Sequence, residues 1–279
     1  MDPDTEAERT TSKIFKALFV TVVFAACENK HAETTTTATI ETPVAKDTVV
    51  TIVDSSNRKQ KTIYLTFDDG PNKGSAHVLQ VATEEKVPIT MFLIGQHIIG
   101  SPGQAITYSH ILKNPFIEIQ NHSYTHAHNH FEKFYQHANV VNDDFIRCAD
   151  SLHLNSKIIR TPGRNIWRTP TIRFTDVKKT AAVADTLQQK GFIAMGWDVE
   201  WRFDNHLHLY KTAEQLQEQI KNLFEKQEMK TPNNLVLLAH DQTFADSINF
   251  ASLRLLFQNL KKTGEYNFEV ISKYPGLKK

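Results

Sequence analysis

Two adjacent carboxylates, Asp68 and Asp69, end the run Ile63-Tyr64-Leu65-Thr66-Phe67 and are followed at once by Gly70-Pro71. A β-branched and aromatic run reads as a buried strand, and a pair of acids at its end does not fit a core. Neighbouring side chains diverge to opposite faces within a strand, but where the chain turns both can reach one cleft. Two like charges this close cost free energy unless a cation or a proton resolves them. A second cluster, His122-Ser123-Tyr124-Thr125-His126, follows the apolar stretch 116–119. Histidines at i and i+4 lie on one face of a helical turn, near enough to share a metal ion. Arg160-Thr161-Pro162-Gly163-Arg164, Trp197-Asp198-Val199-Glu200-Trp201 and Leu238-Ala239-His240-Asp241 come after further short apolar runs. Polar groups at the ends of successive strands are what a barrel-type active site requires.

In this order the clusters resemble the motifs of the polysaccharide deacetylases of carbohydrate esterase family 4, the NodB-homology domain. TFDDG stands at 66–70, H-[ST]-x-x-H at 122–126, Arg-x-Pro at 160–162, an Asp/Trp motif at 198–201 and Leu-x-His at 238–240. Five motifs in family order are far more specific than any one of them. The resemblance implies an α/β fold, a distorted seven-stranded (β/α) barrel of the NodB-homology type. It implies a metal-dependent hydrolase that removes N-acetyl groups from a glycan, with peptidoglycan N-acetylglucosamine and chitin-type oligomers as the leading substrates. An O-acetyl xylan esterase on the same fold and a non-catalytic glycan-binding protein are the alternatives. By the family pattern, Asp69, His122 and His126 hold one divalent ion, zinc before cobalt or nickel. Asp68 is then the general base toward water, Arg160 orients it, and His240 is the general acid for the leaving group.

The chain departs from that pattern twice. Gly163 directly follows Pro162, where the family often has an aromatic residue, so a backbone N–H near Gly163 is the natural oxyanion donor. Arg164 could bind a charged substrate group or pack on Trp167. The fourth motif reads Asp198-Val199-Glu200-Trp201 instead of Asp-x-x-Asp-Trp. Alternation puts Asp198 and Glu200 on one side of a strand, so either could hold His240 in its tautomer. Trp201 is expected to wall a sugar ring or the acetyl methyl, and Trp197 suits a core equally well. His126 and His130 repeat the i, i+4 spacing, but the earlier pair directly follows a strand, which leaves His128 and His130 at the cleft rim or exposed. His97, His110, His137, His153, His206 and His208 carry no motif and read as surface or capping residues.

The elements that must hold these residues alternate. Strands are expected at 62–67, 89–94, 116–121, 157–160, 192–197, 234–239 and 267–272, with helices near 75–86, 104–113, 131–152, 176–190, 212–228 and 248–263. Such alternation argues a mostly parallel sheet, and seven strands suit the barrel, although the local pattern does not itself separate a barrel from an open sheet. The 279 residues allow one catalytic domain, 61–275, plus extra segments. A formal net charge of +1 argues against nucleic-acid binding and strongly electrostatic membrane association. The resemblance implies an acetylated polysaccharide or oligosaccharide as the partner.

Ahead of that domain, Lys13 and Lys16 flank an apolar run at 17–26 that is too short to span a membrane. Residues 1–27 read as a secretory signal. Their Ala25-Ala26-Cys27 ending resembles a bacterial lipoprotein signal, with Cys27 lipidated. Residues 28–60, which include Thr34 to Thr37, read as a flexible tether. The protein is thus expected to be exported to the periplasm or cell envelope and held at the membrane only through a lipid. Cys148 is then the sole remaining thiol, expected on a helix as a small buried hydrophobe.

Overall fold

The computed structural model describes residues 60–277, which lie within a compact unit formed by Asp54–Lys279. The expected signal segment, Cys27 and most of the tether lie outside the described residues. The elements run β1 (Lys61–Gly70), α1 (Lys73–Glu85), β2 (Ile89–Leu93), α2 (Pro102–Lys113), β3 (Ile117–Asn121), α3 (Phe131–Phe134), α4 (Ala138–Ser151), β4 (Ile158–Ile159), β5 (Ile166–Arg168) and β6 (Arg173–Thr175). They continue as α5 (Ala181–Gln189), β7 (Ile193–Ala194), β8 (Val199–Glu200), α6 (Ala213–Lys226), β9 (Asn234–His240), α7 (Ser247–Lys262) and β10 (Tyr266–Phe268). Each strand expected from sequence has a counterpart. The short strands β5, β6 and β8 are additional, and the expected 131–152 helix is broken between α3 and α4.

The strand order is β6-β5-β7-β4-β3-β2-β1-β9-β8. From β7 to β8 the pairing is parallel throughout, with β5 and β6 added antiparallel at the β7 edge. Seven strands laid flat at about 4.8 Å spacing would span about 29 Å from edge to edge. Yet β7 and β8 are consecutive in the chain, and the steps from Ala194 to Val199 reach at most about 18 Å. The sheet must therefore curl until its two edges meet. The segment around β7 and β8 joins them. Its Met195 N–H donates to the Ile159 carbonyl (2.9 Å) beside β4, while its Asp198 and Trp201 N–H groups donate to the Val236 and Leu238 carbonyls (2.9 and 2.8 Å) of β9. Strand β10 pairs with β1 at Lys61–Ile63, below the point where β2 takes over at Thr66. The distorted barrel follows from these pairings.

Period-two alternation sorts the strand residues into two layers. Ile63, Leu65 and Phe67 of β1, with Leu235, Leu237 and Ala239 of β9, face outward into a core closed by Val78, Val81 and Ala82 of α1, Leu216 and Ile220 of α6 and Leu253, Leu256 and Phe257 of α7. Tyr64 and Val236 face inward and pack with Phe92, Trp167, Met195 and Tyr274. Higher on those inward faces come Thr66, Asp68 and His240, so the interior is apolar at its base and polar at its mouth.

Candidate active site

Asp68 and His240 are register partners on β1 and β9, both at the top of the inward face. Asp69 should point the other way. However, the β1/β2 register shifts between Asp68 and Gly70, and Asp69 has φ 75°. An irregularity of this kind re-aims a side chain, and Asp is one of the few residue types that tolerates the left-handed region. The His97 ring contacts the Asp69 carbonyl through Nδ1 (3.0 Å) and anchors the turn.

The histidine pair is not carried on a helical turn, as its spacing suggests. His122 directly follows β3, and the chain then bends through Ser123 (φ 68°) to His126 (φ 50°), with Ala127, His128 and Asn129 also left-handed. Polar side chains hold this bend. The Asn121 Oδ1 accepts from the Ser123 N–H (2.9 Å), and the Ser123 Oγ from the His126 N–H (3.1 Å). The Asp144 Oδ2 on α4 accepts from the Tyr124 and Thr125 N–H groups (3.0 and 3.2 Å).

The result is a convergence. Asp69 Oδ1 lies 3.4 Å from His122 Nε2 and 3.2 Å from His126 Nε2. One ligand atom from each of the three residues lies within 4.8 Å of the others. His122 Nδ1 sits 2.9 Å from the Arg160 carbonyl and His126 Nδ1 sits 3.1 Å from Asn129 Oδ1. With Nδ1 donating in each ring, both Nε2 atoms present lone pairs toward the carboxylate. Asp69 Oδ1 is buried and has no hydrogen-bond donor of its own. Two imidazole lone pairs around a donorless buried carboxylate oxygen fit a divalent cation. Burial pushes the Asp69 carboxyl up, but the close approach of His122 and the neighbouring His240 and His126 outweigh it and hold the group well below the usual carboxylate range. Burial likewise disfavours charge on His122, yet Asp68 and Asp69 beside it raise its pKa; at His126 burial prevails and lowers it.

Arg160 is fully buried. Its Nη1 donates to Asp68 Oδ1 (3.0 Å) and Thr66 Oγ1 (2.6 Å), Nη2 to the Gly196 carbonyl (2.9 Å) and Nε to the Met195 carbonyl (3.1 Å). Its guanidinium stacks 4.2 Å from the centre of the Phe92 ring. A cation held at four points fixes one oxygen of Asp68 and leaves Oδ2, 3.6 Å from His122 Nε2, facing the cleft. A cavity of about 280 Å³ opens above, lined by Asp68, Asp69, His122, His126, Phe131, Thr161, Gly163, Trp197, Glu200, Phe203, Leu238, His240 and Gln242. A second, of about 480 Å³, lies on the other side of Asp69 and His126 and is lined by Gln96, His97, Thr125, His128, Asn129 and Gln242.

Three expectations need correction. Asp198 is not a partner of His240: its carboxylate accepts from the Lys230 and Val236 N–H groups (both 2.8 Å). It stands where the chain leaves β4 for β9, before β8 begins, so strand alternation with Glu200 does not carry through it. Glu200 does line the cavity, but it too makes no hydrogen bond to His240, whose Nδ1 has no protein partner among the described residues. Trp201 is not a sugar wall. With Glu200 facing inward, Trp201 faces outward, is 1% exposed, packs on Phe244 and donates its Nε1 to the Lys211 carbonyl (2.8 Å). Trp197 takes the cavity wall instead, and Asn165 holds it by accepting from its N–H (3.1 Å) and donating to its carbonyl (2.9 Å). His97, read as a surface or capping residue, supports Asp69 through its carbonyl.

Gly163 has φ 62° and lines the cavity, and a Cβ there would lie 3.1 Å from the Phe131 ring. Sequence reading missed Phe131, Phe203, Asn129, Asn165 and Asp144. Only Asn129, three residues beyond His126 in a histidine-rich run, carried a local signal.

A family model described as polysaccharide deacetylase matches residues 55–182. The peptidoglycan-N-acetylglucosamine deacetylase of Bacillus cereus is 26% identical over 224 residues, covering 77% of this chain and 70% of that protein. The chitin disaccharide deacetylase of Vibrio alginolyticus is 25% identical over 205 residues, covering 52% of this chain and 48% of that protein. The structure of a Streptococcus mutans CE4 esterase superposes with a TM-score of 0.56 at 22% identity, covering 76% of this chain and 86% of that one, which shows a shared fold.

Proposed function

We propose that the chain, whose residues 55–182 match the polysaccharide deacetylase family model, hydrolyses N-acetyl groups from a glycan of the peptidoglycan or chitin type, using zinc held by Asp69, His122 and His126. The observation that carries this reading is the convergence of Asp69 Oδ1 with two imidazole Nε2 atoms, beside a second carboxylate already fixed by a buried arginine. A divalent cation in that position supplies Lewis acidity toward the acetyl oxygen and toward water.

The chain's own groups account for the proton movements. Asp68 Oδ2 takes the proton of the attacking water, while Arg160 holds Oδ1 and keeps the carboxylate aimed. The Gly163 N–H, claimed by no hydrogen bond among the described residues, faces the developing oxyanion. His240 gives a proton to the departing nitrogen. Phe203 packs edge-on against its ring at 5.2 Å and restricts its swing. Trp197 and Leu238 line the cavity near the acetyl methyl. The non-catalytic alternative would leave this whole set of buried, costly polar groups without a task.

The proposal extends to location: export, with Cys27 carrying a lipid and residues 28–60 giving reach to the glycan. It rests on the basic flank, the apolar run and Ala25-Ala26-Cys27. Cys27→Ser should then release the protein from membranes, and a wild-type protein found soluble after cleavage elsewhere would refute this part.

The central test is acetate release from a panel of chitooligosaccharides, peptidoglycan fragments and acetylated xylan, with chelator and with added zinc or cobalt. Chelator-sensitive release from the N-acetylated members supports the reading. Release from xylan alone would replace it with an O-esterase.

A further inference from the structure

Gly163 and Arg164 are consecutive but face different cavities. Gly163 lines the cavity above the Asp68/Asp69/His122/His126 cluster, whereas Arg164 lines two others, of about 660 and 220 Å³. Phe131 is the shared wall, since it lines both the reacting cavity and the larger of the two beyond. The absence of a side chain at Gly163 lets that ring lie close, so the step from one cavity to the next is a single aromatic thickness.

The charged side chains that line the cavities differ across that wall. The reacting side carries Asp68, Asp69 and Glu200 with no lysine or arginine among its lining residues. Beyond Phe131 the lining includes three cations, Arg164, Lys133 and Lys179, against one acid, Glu132. Glu132 is already paired with Lys179, and that ammonium is the main reason its carboxyl lies below the usual range. Asp176, the acid near this loop, spends its oxygens on the Asn165 and Val177 N–H groups (3.0 and 2.7 Å). Arg164 itself donates only to the Gly163 carbonyl (2.7 Å), and its Nε is buried without a partner among the described residues. Its Nη2 makes no hydrogen bond among the described residues, and the guanidinium edge that Nη1 and Nη2 form suits a planar two-oxygen anion.

We propose that Arg164 binds a carboxylate carried by the sugar next to the one that loses its acetyl group, so that this site prefers an acidic glycan to a neutral one. This rests on the deacetylase reading above and names its substrate class. A free carboxylate would form a charge-assisted pair with the Nη groups of Arg164, screened little on the Phe131 side and reinforced by Lys133.

The test uses one scaffold with and without the charge: a peptidoglycan oligosaccharide stripped of peptide, with its lactyl carboxylates free or converted to amides. Acetate release and calorimetric binding are measured for the wild type, Arg164→Gln and Arg164→Lys, with melting temperatures to check folding. The wild type should favour the free acid by about tenfold or more in both kcat/KM and Kd. Arg164→Gln should erase that ratio and Arg164→Lys should keep part of it. A wild-type ratio near one, or a ratio that survives in Arg164→Gln, overturns the proposal. If no acetate is released from either form yet the binding ratio follows Arg164, the deacetylase reading fails and the carboxylate site stands.

Discussion

His126 is the ligand most open to challenge, because His130 repeats its spacing. The structure separates them: His126 Nε2 lies 3.2 Å from Asp69 Oδ1, while His130 lines the neighbouring cavity with Phe131 and Arg164. His126→Ala is expected to abolish zinc binding in a calorimetric titration, and His130→Ala to leave it intact; the reverse would reassign the ligand. Asp68→Asn should keep the metal and lose about 10² to 10⁴-fold in rate, since an amide cannot accept the proton. His240→Ala should harm amide substrates more than aryl acetates, whose leaving groups need little protonation, and equal losses would remove His240 from the acid's role. Asp198 has a different task. Burial pushes its carboxyl up to about 6 from an ordinary 3.8, despite two accepted N–H bonds. An acid whose pKa is raised on folding holds its proton more tightly in the native state, so it makes stability fall as pH rises from about 4 to 6. Asp198→Asn should flatten that part of a melting-temperature profile, and an unchanged slope would show that Asp198 is not buried as described.

At the scale of elements, the site depends on how α1 and β9 meet. The Asn72 side chain caps α1 and accepts from the Gly74 and Ser75 N–H groups, while the Ser75 hydroxyl donates to the buried Asp241 next to His240. Gly74 is required by close approach, because a Cβ there would lie 1.7 Å from the Asp241 carbonyl oxygen. Gly74→Ala should therefore destabilise the protein by roughly 1–3 kcal/mol in a urea titration, the range for overpacking. It should also lower activity by displacing His240. Full activity in that variant would mean that the α1 contact does not position the acid.

For the whole molecule, the proposed metal ties β1 to the turn after β3, two places that leave regular backbone geometry to reach it. A ligand that binds only the folded state stabilises it by about 2.7 kcal/mol at 100 times its Kd. Zinc at that excess should raise the melting temperature by roughly 5–10 °C, and the rise should vanish in His126→Ala. Cross-linking does not share this load among the described residues. Cys148 lies on α4 without exposure, and burial pushes its thiol up to about 12. Iodoacetamide should therefore label it only after unfolding.

Local chemistry was readable along the chain. The apolar runs marked the strands that carry the site, and the acids, imidazoles and arginine at their ends marked Asp68, Asp69, His122, His126, Arg160 and His240, because buried charge at a strand end is too costly to be incidental. Alternation also accounts for Trp201, once the inward face of β8 is known. Three things were decided only in three dimensions. Barrel closure depends on one short segment pairing with two strands far apart in sequence, and no local pattern encodes that. The aim of Asp69 and His126 depends on left-handed backbone conformations held by Asn121, Ser123, Asp144 and His97. The duties of Asp198 and Trp197 depend on the seam where β4 hands over to β9, since hydrogen bonds there link residues that spacing alone does not bring together.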